Sequence, residues 1–341
     1  MSRLFFAFLL LLPLSACAPL SLGAGPAAVE PRLFEDRIRM ADGAELPLAR
    51  FLPEEKPQAI LLSLHGFNDY RLTFEAPART LARHGIAVYA YDQRGFGQAP
   101  NRGLWPGEKT LTGDARTAAA LLREAYPETP LYLLGESMGG AVLLAALAEA
   151  PLEADGIVLT SPALRARKTM RFYEPALLWL AAHTLPWAKL SSRGLDIPPS
   201  DNIEMLKALG RDPNVIKKSR VDALWGLVNL MDDALAAVDR LKGPALILYG
   251  EKDEIVPKDA FRVMVAQLPR PRPNDVRIAV YEKGYHLLLR DLQAKTVLED
   301  LASWILAEET PLPSGAEEVA RAWLLTERER ADRFAAASPL E

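Results

Sequence analysis

The chain has 341 residues, half of them hydrophobic and a quarter charged, with a formal net charge of −4. That length suits one large α/β domain with an insertion, and the acidic balance leaves no electrostatic footprint for nucleic acid. A single cysteine, Cys17, excludes a disulfide framework.

In chain order, the first segment reads as a leader. Met1-Ser-Arg3 supplies the positive start, "LFFAFLLLLPL" a short apolar run, and "SAC" the small residues of a processing site over 1–16. The run is too short to span a bilayer as a mature helix. Leu14-Ser15-Ala16-Cys17 resembles the bacterial lipobox, which implies a lipidated Cys17 as mature N-terminus and a membrane anchored through that lipid. The implied location is the bacterial cell envelope, and Ala18 in place of Asp points to the outer membrane of a Gram-negative host. Residues 17–33, rich in Ala, Gly and Pro, read as lipidated Cys plus tether.

A core follows over 34–162. "DRIRMADGAELPLARFLP" (36–53) sets a DG turn between two alternating runs, which predicts an antiparallel hairpin. "AILLSLHG" (59–66), "AVYAYD" (87–92), "LYLLGES" (131–137) and "GIVLTSP" (156–162) read as strands buried on both faces, as do "ALILYGEKD" (245–253) and "VRIAVYEKG" (276–284). Helical patterns separate them, which predicts an α/β fold with a mostly parallel sheet and helices on both faces. Residues 163–241 hold no convincing strand and read as an inserted helical cap. In it, "FYEPALLWLAAHTLPWAKL" (172–190) is apolar nearly all round, and a later stripe runs Leu224, Leu227, Val228, Met231, Leu235 and Val238. The core resumes over 242–308, and 309–341 reads as a charged C-terminal helical extension.

The chemistry centres on "LLGESMGG" (133–140), where Ser137 falls at a strand-to-helix turn between Gly135 and Gly139. No G-x-x-x-x-G-K-[ST] or G-x-G-x-x-G fits, so phosphate and dinucleotide loops are excluded. A serine nucleophile needs a base, an acid to orient that base, and donors for the developing oxyanion. Of the four histidines, His286 lies on the loop after the last strand, downstream of an acidic loop. His65 reads as structural, His84 as a helix end before Gly85, and His183 as part of the apolar cap. The acid comes from Glu251, Asp253 or Glu254, and the residues alone do not choose among them. The backbone N–H groups of Met138 and Phe67 are the candidate oxyanion donors. The chain order serine, acid, histidine is that of the α/β-hydrolases.

These pieces closely resemble the monoacylglycerol lipases and lysophospholipases among the α/β-hydrolases, often labelled serine aminopeptidase S33-like. The matching stretches are "LHGFND" (64–69), "YDQRGFGQ" (91–98), "LLGESMGG", "LYGEKDEIVP" (248–257) and "YEKGYHLLLRD" (281–291), within a resemblance spanning about 34–308. It implies a catalytic triad of Ser137, Asp253 and His286, with oxyanion amides at Phe67 and Met138. It also implies an acyl-enzyme mechanism needing no cofactor or metal, and a lipid or small ester substrate. Glu136 stands where histidine is common, and Ala99 where serine often follows. Met138 occupies a position that is usually tryptophan in the prolyl-peptidase branch. Within the cap, Leu177, Leu178, Trp179, Leu180, Leu185 and Trp187 either line an acyl pocket, touch lipid or form the cap's own core. Beside them Arg165, Arg167, Lys168 and Arg171 make a basic face, solvated or docked on lipid headgroups. A peptidase, a thioesterase, a polyester hydrolase and a non-catalytic lipid-binding lipoprotein are the competing readings.

Overall fold

In the computed structural model, which describes residues 18–191, 197–269, 275–307 and 310–325, a short β1 (Arg32–Leu33) opens the sheet. The leader and Cys17 lie outside these residues, as do 326–341. β2 (Arg37–Arg39) and β3 (Glu45–Phe51) then form the expected hairpin, with Gly43 at φ +83° in the turn. A positive φ there is what glycine adopts without steric cost. β4 (Ala59–Leu64), α1 (Glu75–Arg83), β5 (Ile86–Tyr91), α2 (Glu108–Ala125), β6 (Leu131–Glu136), α3 (Met138–Leu147) and β7 (Gly156–Thr160) follow in alternation.

Between β7 and the next sheet strand lie α4 (Glu174–Thr184), β8 (Lys189–Leu190), α5 (Ile203–Arg211), β9 (Ser219–Arg220) and α6 (Val221–Ala236). β8 and β9 pair antiparallel as a two-strand clip, in an interval the sequence reading leaves without strands. Each is two residues long, too short to leave a periodic signal. α6 stops at Ala236, and Val238–Arg240 forms a 3₁₀ turn rather than a further helical turn. β10 (Ala245–Gly250), α7 (Lys258–Gln267), β11 (Val276–Tyr281) and α8 (Ala294–Leu306) complete the alternation, and 316–325 form a helix, α9.

The nine sheet strands run in the order β1-β2-β3-β5-β4-β6-β7-β10-β11, antiparallel as far as the β3–β5 pair and parallel thereafter. This is the α/β-hydrolase fold. α2, α3 and α7 pack on one face, while α1 and α8 pack on the other. With both faces covered, every residue of β4, β5, β6, β7 and β10 is buried, which is why these strands read as unbroken apolar runs. Leu312 and Ala316 join the core on the α1/α8 face, whereas Ala320 joins the other. The 310–325 segment therefore passes around the outer edge of β11, where Glu317 pairs with Arg277 at 2.6 Å.

The described part of the expected tether does not stand free. Leu22 N–H donates to Trp105 O at 2.8 Å, Ala24 N–H to Thr110 Oγ1 at 2.9 Å and Gly25 N–H to Asp42 Oδ2 at 3.0 Å. Backbone amides make these contacts, so a composition of Ala, Gly and Pro does not reveal them.

Candidate active site

Ser137 sits between β6 and α3 with φ +52° and ψ −113°, a strained backbone for a residue with a Cβ. Its surroundings hold that conformation. Ser137 N–H donates to Thr160 O at 3.0 Å, and its carbonyl accepts from Ala141 and Ala163 N–H at 3.2 and 2.9 Å. The turn closes only because its neighbours are bare. A Cβ on Gly139 would lie 2.1 Å from Leu64 O. Gly139→Ala is therefore expected to cost about 1–3 kcal/mol of stability as β4 and α3 are forced apart. A thermal melt tests this, and a Tm unchanged from wild type would show that the turn has room to spare.

β10 and β11 deliver the two partners. Asp253 follows β10 and is 3 % exposed. Its Oδ1 accepts from Ile255 and Val256 N–H, each at 2.9 Å, which leaves Oδ2 facing His286. His286 Nδ1 lies 2.8 Å from that oxygen, and its Nε2 lies 3.0 Å from Ser137 Oγ. A carboxylate only accepts, so Nδ1 carries the imidazole proton and Nε2 is free to accept from the serine hydroxyl. Burial pulls the His286 imidazole down. The charge and hydrogen bond of Asp253, with Glu136 behind them, outweigh that and hold its pKa above the ordinary histidine value. The other two carboxylates of the loop are engaged elsewhere or turned outward: Glu251 pairs with Lys258 at 2.9 Å, and Glu254 is exposed.

The loop after β4 packs onto this group. A Cβ on Gly66 would stand 3.4 Å from Ser137 Cβ. Among the described residues, the N–H groups of Phe67 and Met138 donate to no protein acceptor. Met138 begins α3, where the first amides lack intrahelical partners and the helix dipole favours negative charge. His65 is committed otherwise. Its Nε2 accepts from Gln93 N–H at 3.0 Å, so Nδ1 is the protonated nitrogen and donates to Gly66 O at 2.8 Å. Burial pushes its pKa down. This histidine shapes the loop. His84 closes α1 before Gly85, as expected. His183 stacks on Trp179 with ring centroids 4.6 Å apart.

Ser137 and His286 open into a cavity of about 670 Å³, and the insertion supplies much of its lining, including Leu178, Leu206, Leu209, Leu224, Leu227 and Met231. The residues expected there from the apolar 172–190 stretch need correction. Leu177, Trp179, Leu180 and Trp187 do not line the cavity; each is more than half exposed, as are Leu185 and Leu190. Of the run 177–180, only Leu178 turns inward. A helix that is apolar all round carries no sign of which face is buried. The basic stretch is likewise divided. Arg165 pairs with Glu174, and Arg167 with Asp232 and Asn229, while Lys168 and Arg171 are exposed. A larger groove, about 850 Å³ between α1, α5 and α8, contains none of the three candidate residues.

The sequence reading missed a buried ion cluster beside the cavity, in which Arg290 pairs with Asp69 and Glu136, two residues of the cavity lining. The only sequence trace of it is an arginine directly after the apolar "LLL" of 287–289 and a glutamate just before the serine.

The family described as "Serine aminopeptidase, S33" matches residues 55–293. The monoacylglycerol lipase of Mycolicibacterium smegmatis is 28% identical over 270 residues, covering 75% of this chain and 90% of that protein. The monoglyceride lipase of Rattus norvegicus is 27% identical over 274 residues, covering 78% and 88%. Among solved structures, the monoacylglycerol lipase of Paleococcus ferrophilus matches with a TM-score of 0.64 at 25% identity, covering 78% of this chain and 100% of that one. A soluble variant of monoglyceride lipase from Saccharomyces cerevisiae, in complex with a substrate analog, matches with a TM-score of 0.67 at 19% identity over 86% and 98% of the two chains.

Proposed function

The chain belongs to the serine aminopeptidase S33 family, and on that footing we propose that it is a serine hydrolase of mono-acyl lipid esters, of the monoacylglycerol or lysophospholipid kind. The observation that carries this reading is His286 hydrogen-bonded between Asp253 and Ser137 at the floor of a largely apolar cavity. As Ser137 Oγ attacks the ester carbonyl, His286 Nε2 takes its proton, and Asp253 holds the tautomer and stabilises the imidazolium. The Phe67 and Met138 amides receive the oxyanion. The alcohol leaves with the proton from His286. Water, activated by the same nitrogen, then releases the fatty acid from Ser137.

The cavity favours one acyl chain over a peptide. Its walls are mostly apolar, with leucine, methionine, isoleucine and valine side chains from the insertion and the loops, which match hydrocarbon. Met138 in place of the tryptophan seen in prolyl peptidases agrees with that choice.

The reading extends to the membrane. Phe172, just before α4, is 95% exposed, Leu177, Trp179 and Leu180 lie along that helix and Trp187 follows it, with the exposed Lys168 and Arg171 shortly before it in the sequence. Aromatic and leucine side chains next to cations suit an anionic lipid surface, from which a mono-acyl substrate would enter. Among the described residues no helix is long and apolar enough to cross a membrane, so attachment on this reading comes from a lipidated Cys17 in the cell envelope. The pinned run from Leu22 to Gly25 would then hold the anchor close to the body of the protein.

A substrate series tests the proposal: p-nitrophenyl esters of increasing chain length beside mono- and diacylglycerols, a lysophospholipid and an aminoacyl-arylamide. Specificity should rise with acyl length and favour mono- over diacyl lipids. Turnover of the arylamide alone would replace the lipase reading with a peptidase.

A further inference from the structure

One guanidinium touches acids from the two other segments that meet at the site, the loop after β4 and the end of β6. Arg290 lies four residues beyond His286 and is 8% exposed. Its Nη2 donates to Asp69 Oδ2 at 2.9 Å and to Glu136 Oε2 at 2.8 Å. Asp69 is two residues beyond Phe67, and Glu136 immediately precedes Ser137. The Arg290 main chain adds two more links: its N–H donates to Leu287 O at 2.9 Å, and its carbonyl accepts from Asn202 Nδ2 at 3.0 Å, at the start of α5.

We infer that Arg290 is a positioning residue, which fixes the oxyanion loop, the nucleophilic serine and the base histidine relative to one another through Asp69 and Glu136. The inference rests on the proposed roles of Ser137 and His286.

Stability does not account for the cluster. Burying a cation with two carboxylates is expensive in desolvation, and apolar side chains of similar volume commonly stabilise as well or better. This cluster also leaves Glu136 Oε1 buried with no partner. Burial pushes the Glu136 carboxyl up, against the pull of Arg290, while Asp69 and Glu136 keep the guanidinium charged despite its own burial. Registration of three loops is what the arrangement supplies. The adjacent main chains carry all three groups that must converge on one carbonyl carbon, and such convergence is sensitive to displacements of an ångström.

The cluster also bears on the base electrically. The charged groups acting on His286 are Asp253 from the loop after β10, Glu136 from the end of β6, and Arg290 on its own loop. Asp69 enters from the loop after β4. Asp291 is occupied with the Tyr285 and Gln293 amides. Geometry and charge are separable by choice of substitution. Arg290→Lys keeps the charge but loses the reach and fork of the guanidinium. Glu136→Gln removes a charge but keeps an oxygen that can accept from Nη2.

The test measures kcat and KM on a p-nitrophenyl ester, the second-order rate of fluorophosphonate labelling at Ser137, and the pH profile of kcat/KM. Arg290→Lys is expected to lower kcat and labelling about tenfold, with KM within about twofold and the acid limb unmoved. Glu136→Ala should lose activity similarly, and Glu136→Gln should recover most of it while moving the acid limb to lower pH. If Arg290→Lys fails to fold, the Glu136 pair decides. Wild-type kcat and labelling in folded Arg290→Lys, or equal activity in the Ala and Gln variants of Glu136, overturns the positioning role. Absence of labelling in the wild type would instead sink the serine reading itself.

Discussion

Ser137→Ala is expected to leave the protein folded, to abolish fluorophosphonate labelling and to cut ester turnover by about 10³-fold or more. On the proposed mechanism the Oγ is the atom that attacks, and it is the hydroxyl that lies 3.0 Å from His286 Nε2. Cys17, the single cysteine, lies outside the described residues, far back in the sequence. Folding should survive because the turn is held by backbone groups rather than by the hydroxyl: Ser137 N–H on Thr160 O, and Ala141 and Ala163 on Ser137 O. Intact-mass analysis of the labelled protein, with peptide mapping of the adduct, reads out the result. A labelled Ser137→Ala protein would move the nucleophile to another residue.

Asp253→Asn is expected to be nearly as damaging, with kcat down by about 10³–10⁴-fold. The local hydrogen bonds dictate how. Oδ1 is pinned by the Ile255 and Val256 amides, so the asparagine oxygen keeps that place and its NH₂ faces His286. Nδ1 must then accept, the imidazole proton moves to Nε2, and the nitrogen facing Ser137 can no longer take its proton. The pH dependence follows in sign. On the proposed mechanism, wild-type kcat/KM should fall as pH drops through a His286 pKa lying above the ordinary histidine value, because the protonated imidazole cannot act as base. The asparagine lacks the charge that raised it, so the residual activity should show its acid limb at lower pH. A wild-type rate in this variant would remove Asp253 from the mechanism.

Much of the architecture is legible in the sequence because its causes are local. Strands buried on both faces must be apolar throughout, and the glycines around Ser137 are needed within a few residues of it. What is not legible comes from distant pairings or from ambiguous periodicity. Glu251, Asp253 and Glu254 look alike in the sequence. The family resemblance singles out Asp253, and the turn that folds Ile255 and Val256 back onto it supplies the physical reason. α4 hides its buried face because leucines, tryptophan and alanines surround it, so Leu178 cannot be told from Leu177. α5, nine residues without a fully buried side chain, carries too little core signal to stand out. The Arg290 cluster joins positions 69, 136 and 290, and no window of sequence spans them.

The passage of 310–325 around β11 bears on how the molecule behaves in company. β11 is the last strand of the sheet, with one side of its backbone unpaired by any neighbouring strand among those described. Such a border invites a strand from another molecule. With Leu312 and Ala316 seated on one face, Ala320 on the other and Glu317 locked to Arg277, the segment stands across that border. It lies beyond the family match, which ends at 293. It therefore covers a border that would otherwise lie open to edge-to-edge pairing.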